Sequence, residues 1–127
     1  MEDFVSFEIA KKLKDKGFNY PCIGHYVDNH LYIAHYHNAF HSDIDESLDA
    51  PTISQVLKWL REEKEIYCLP FFEQGIDMWL FCIERPQTGC DFAEYISESI
   101  YNTYEAAALV GIEYILANIE DLTMVIE

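Results

Sequence analysis

The sequence predicts an α+β fold: an antiparallel sheet built from two hairpins, with three helices, in the order α-β-β-α-β-β-(β)-α. Three observations predict it. Ile53, Val56, Leu57 and Leu60 recur at i, i+3, i+4 and i+7, one face of a helix. Two stretches rich in β-branched and aromatic residues are each interrupted by a turn pair, Asp28-Asn29 and Gln74-Gly75. A last apolar stripe, Tyr104, Ala108, Ile112, Ile115 and Ile119, returns to helical spacing. Helices laid against one face of an antiparallel sheet is the architecture such an order favours.

The first helix is expected over 3–16, with Val5, Ile9, Ala10 and Leu13 on its apolar face, Asp3 as its cap and Gly17 as its stop. Its lysines, Lys11, Lys12, Lys14 and Lys16, read as a solvated face, since no glycine-rich loop accompanies them. Strands over 22–27 and 31–36 follow. A tight turn at Asp28-Asn29 would set Val27 opposite His30, Gly24 opposite Ile33 and Cys22 opposite His35. Residues 38–50 are polar and acidic and read as a loop. The central helix then starts at Thr52, with Gln55 three residues on as a capping box, and ends near Arg61 and Lys64, where the helix dipole favours cations.

The second hairpin is expected over 66–73 and 76–84. Alternation sends Phe72, Trp79, Phe81 and Ile83 one way and Leu69, Phe71, Met78 and Leu80 the other. Both faces are apolar, so this ribbon is either buried on both sides or offers one to a partner. Residues 90–100 read as a short strand or an irregular segment. Asn102 with Glu105 is the expected cap of the last helix, and Ala107, Ala108 and Gly111 are small enough to let it approach a sheet closely.

A length of 127 residues predicts one domain over 1–127, and 50% apolar with 15% aromatic residues supplies a core without disulfides or a structural metal. Eight basic residues face 23 acidic ones, for a formal charge of -15, and none of the basic ones follows Arg85. Binding nucleic acid requires Lys and Arg to displace counterions from phosphate, so direct nucleic-acid binding is not expected, nor is an anionic membrane surface. Such a balance reads first as the solvated surface of a soluble acidic protein, and second as an acidic surface aimed at a basic protein partner. No stretch approaches the ~20 apolar residues of a membrane span. The acidic start reads as lacking a signal peptide, and no pair among Cys22, Cys68, Cys82 and Cys90 has C-x-x-C spacing. Reduced thiols in a cytoplasmic protein are expected.

Candidate chemistry is sparse. His35, His37 and His41, with Asp43 beyond, form the densest polar cluster. His35 and His37 would share a strand face, and imidazoles with a thiol or carboxylate suit zinc. Their spacing matches no established ligand pattern, so half-exposed strand and loop histidines compete with a metal site. Asp43 to Asp49 resembles a calcium loop only briefly, with Leu48 at the sixth position where glycine belongs and Ser54 where the bidentate glutamate belongs. There is no G-x-S-x-G, P-loop or dinucleotide fingerprint. No cofactor is expected. Phe71, Phe72, Trp79 and Phe81 read either as core or as anchors for another protein or a second copy of this chain, with Asp43, Asp45 and Glu46 as acidic contacts.

Three segments also carry a resemblance: the run from Pro51 to Glu63, the aromatic hairpin after it, and Tyr104-Glu-Ala-Ala followed by Gly111-Ile-Glu-Tyr-Ile-Leu. They resemble short uncharacterised proteins of gut Bacteroidetes and of their phages and prophages. These are core and cap positions, and that family has no established activity, so no functional residue carries over. The resemblance implies a cytoplasmic protein of phage or mobile-element origin. Together these readings favour a small acidic, non-enzymatic module that binds a host protein. The alternative is a small metal- or ligand-binding protein or enzyme built on His35, His37, His41 and Asp43.

Overall fold

Among the described residues, three helices and two three-stranded antiparallel sheets make up the α+β fold, with strand orders β2-β1-β3 and β4-β5-β6. The computed structural model describes residues 3–33, 48–85 and 95–119. Each predicted hairpin thus belongs to a sheet of its own. The chain divides into two compact units, Met1–Val56 and Leu57–Glu127.

In the first unit, α1 (Phe7–Asp15) begins later than its periodicity predicts. Ser6, not Asp3, is the cap: its Oγ accepts from the Ile9 N–H at 3.2 Å. Asp3 is drawn elsewhere because the chain ahead of the helix pairs with the run into α2. The Val5 N–H donates to the Pro51 carbonyl and the Ile53 N–H to the Asp3 carbonyl, both at 3.0 Å. The end is as expected. Gly17 sits at φ 94, the Phe18 N–H donates to the Leu13 carbonyl at 3.0 Å and the Gly17 N–H to the Lys14 carbonyl at 3.2 Å. This is the paired closure of a Schellman motif, which requires left-handed backbone at its glycine. Val5, Ile9, Ala10 and Leu13 are buried.

Strands β1 (Gly24–Val27) and β2 (His30–Ile33) meet in the predicted register, Val27 opposite His30 and Gly24 opposite Ile33. Asp28 and Asn29 supply the two positive φ angles, 53° and 69°, that such a turn needs. The pairing of Cys22 with His35 lies outside the described residues. On the other side of β1 runs β3 (Leu48–Ala50), a strand within the stretch expected to be loop. Its buried-exposed-buried pattern is only three residues long, too short to stand out as a period among acidic neighbours. Helix α1 packs against β3.

Helix α2 (Ile53–Trp59) continues as a π-helical turn over Leu60–Lys64. Its capping box forms as predicted. The Gln55 N–H donates to Thr52 Oγ1 at 3.2 Å, and the Thr52 N–H donates to Gln55 Oε1 at 3.0 Å. Gln55 Nε2 also donates to the Pro21 carbonyl at 2.7 Å, tying the cap to the chain before β1. Thr52→Ala should therefore lower stability by about 1 kcal/mol, with Thr52→Ser retaining most of it. Equal urea midpoints for wild type and Thr52→Ala would contradict this reading of the cap.

In the second unit, β4 (Tyr67–Glu73) and β5 (Met78–Glu84) pair along their whole length. The turn spans four residues rather than two, because Asp77 at φ 54 closes it and Met78 is the first residue back in register with Glu73. Strand β6 (Tyr95–Ile96) pairs with β5, and the chain rejoins β5 at Tyr101, which exchanges two 2.8 Å bonds with Trp79. Helix α3 (Tyr104–Ala117) starts one residue beyond the expected cap: Thr103, not Asn102, accepts from the Ala106 N–H at 3.0 Å. Both residue types cap well, and here the threonine is the one that holds extended backbone at the helix start.

Candidate functional site

The two faces of the second sheet differ in kind. One carries Cys68, Pro70 and Phe72 from β4 opposite Ile83, Phe81 and Trp79 from β5. Helix α3 packs on this face. Cys68, Phe81 and Ile83 are buried there beside Ala107, Ala108, Ile112 and Ile115. A Cβ built on Gly111 would lie 2.6 Å from Cys68 Sγ and 3.1 Å from the Phe81 ring, so the small residues do permit close approach. Toward the hairpin tip the same face opens. Trp79 sits edge-on to Phe72 at 5.4 Å and to Tyr104 at 5.5 Å, and Phe72 is 45% exposed.

The opposite face carries Leu69, Phe71, Met78, Leu80 and Cys82, and the register of β6 adds Ile96. None of these is fully buried, and Ile96 is 54% exposed. Glu73 and Glu84 share this face at its two ends. Among the described residues of this unit no helix packs on that face, and a partly exposed apolar strip is the kind of surface by which proteins meet partners.

Among the described residues β4 is an edge strand, and that edge carries a block of its own. The Phe81 N–H donates to Ser97 Oγ at 3.2 Å and its carbonyl accepts from the Ser97 N–H at 2.9 Å, so Phe81 faces β6 with both backbone groups. Its partner across the pair, Pro70, therefore presents its backbone nitrogen outward, where a further strand would need a donor. Proline there discourages strand addition.

The predicted anchors therefore part company. Phe81 is a core residue beneath α3. Phe72 and Trp79 lie at the open tip of that same face, and Phe71 is half-buried on the other. Leu69, Met78, Leu80 and Ile96 were not among the sequence candidates as site residues, although alternation does place the first three with Phe71. Asp43, Asp45, Glu46, His35, His37 and His41 lie outside the described residues. Among the described residues no group of three or more His, Cys, Asp or Glu side chains could hold a metal ion. Nor is any helix among them long and apolar enough to cross a membrane.

Among the described residues, the buried thiols of Cys22 and Cys68 point away from nucleophilic chemistry, and Cys90 lies outside them. Burial, with Asp49 second, pushes the Cys22 thiol up to about 12, and burial, with Cys82 second, does the same for Cys68. A protonated, enclosed thiol is a poor nucleophile. Cys68 and Cys82 lie on adjacent strands but on opposite faces, an arrangement unsuited to a disulfide. The raised values also predict a pH dependence. The unfolded Cys68 thiol ionises near 9.0, the folded one near 12. Below about 9 neither ionises and stability is complete. Above it only the unfolded chain releases protons, so stability falls as pH rises, by up to about 1.4 kcal/mol per pH unit for this thiol. Cys68→Ala should make the fall in urea-denaturation stability between about pH 9 and 10.5 less steep, the Cys22 thiol still contributing its own share. An unchanged slope would contradict the assignment.

No family model, curated protein or solved structure matches the chain.

Proposed function

We propose that this chain is a non-enzymatic protein-binding module whose contact surface is the face of the second sheet turned away from α3. The observation that carries the reading is the apolar strip from Leu69 to Ile96, in which no side chain is fully buried although the other face of the same ribbon is packed against a helix. Folding does not require so much apolar surface on the outer side, since an antiparallel sheet tolerates polar residues there. The edge aromatics Phe72 and Trp79 extend the contact area at the hairpin tip. With the resemblance to phage and prophage proteins, the reading becomes a cytoplasmic module of mobile-element origin that engages a host protein.

Capture from host-cell extract tests it. Wild-type protein should retain a partner that Leu69→Asp with Ile96→Asp does not, both proteins having the same circular dichroism. Retention of the same proteins by both would contradict the proposal.

A further inference from the structure

The charge around this face narrows what can dock on it. From Ile66 to Ile119, among the described residues, the one cation is Arg85, and it is 6% exposed. Glu73 and Glu84 lie on the strip, Asp77 is in the turn beside its hairpin end, and Glu98 follows β6. Every exposed charge on these strands and their turns is therefore negative. An acidic or neutral partner would bury or crowd those carboxylates uncompensated, and a second copy of a chain carrying -15 would bring the same sign to the interface. Pro70 disfavours a partner that adds a strand to the β4 edge, which leaves the face itself.

Resting on the protein-binding reading above, we propose that the occupant is a basic polypeptide segment. Its apolar side chains would lie over Leu69, Phe71, Leu80 and Ile96 while flanking Lys or Arg residues meet Glu73 and Glu84. The apolar strip supplies the anchoring, and the carboxylates at its two ends select the partner and set its orientation. Exposed charge pairs of this kind contribute more to association rate and to discrimination than to affinity.

A random-peptide display selection against immobilised wild-type protein tests the proposal. Enriched peptides should carry Lys or Arg on both sides of two or more large apolar residues. A synthetic peptide of that consensus should bind roughly tenfold or more weaker to Ile96→Lys, a change at an exposed position that adds a like charge to the strip. It should bind about twofold to fivefold weaker to each of Glu73→Gln and Glu84→Gln, and weaken as salt rises. An apolar consensus without cations, still lost in Ile96→Lys, would overturn the basic occupant and leave the binding face standing. Peptides unaffected by Ile96→Lys would overturn both. No enrichment, with a dimer by light scattering that Ile96→Lys dissociates, would assign the face to a second copy and so reject the basic segment.

Discussion

Replacing Gly111 with alanine is expected to destabilise the protein by about 1–3 kcal/mol, although alanine is the better helix former by about 1 kcal/mol. The contact decides the sign. The new methyl carbon would sit 2.6 Å from Cys68 Sγ and 3.1–3.2 Å from two atoms of the Phe81 ring. Cys68 is a short side chain in a buried position, and Phe81 is 2% exposed, so neither can swing aside cheaply. The helix must instead lift from β4 and β5. Removing the sulfur should relieve part of this. Gly111→Ala with Cys68→Ala is expected to be less destabilised than the sum of the two single changes, by about 1 kcal/mol or more. Additive effects in urea denaturation would mean that α3 does not approach the sheet at Gly111.

The second large effect is a contrast between neighbours. Phe81 and Leu80 are adjacent in β5 and point to opposite faces. Phe81→Ala should cost about 3–5 kcal/mol, because the ring fills the space beneath α3 and leaves a cavity when it is removed. Leu80→Ala should cost less, about 1–2 kcal/mol, because that side chain is only partly buried and leaves no enclosed cavity beneath a helix. Comparable losses from the two changes would mean that the outer face is covered as fully as the inner one.

Where the sequence was readable, the signal was local. The capping box of Thr52 and Gln55, the Gly17 stop and the Asp28-Asn29 turn each depend on residues within five positions of one another, and each forms as its residue types dictate. Element starts were less readable. Asp3 and Asn102 are sound caps by type, but Ser6 and Thr103 hold the cap positions, and Asp3 is taken up by pairing with the segment around Thr52. Strand β3 was hidden because its identity comes from β1, more than twenty residues away in the chain, and not from any pattern of its own. At the candidate site, alternation in the second hairpin divides the side chains correctly between two faces. It cannot say which face α3 covers, so aromatic character alone drew Phe81 into the anchor set and left Leu69, Leu80 and Ile96 out. Small residues in α3 mark a close approach, but only the sheet register shows that Cys68 and Phe81 receive it.

The proposed contact face requires that one sheet have a packed side and an accessible one. Solvent paramagnetic relaxation of methyl protons, with a soluble gadolinium chelate, measures this directly in the unbound protein. Methyl groups of Leu69, Leu80 and Ile96 should relax strongly, and those of Ile83, Ile112 and Ile115 should be protected. Equal protection of the two sets would show that the strip is closed to partners and would remove the basis for the proposed function.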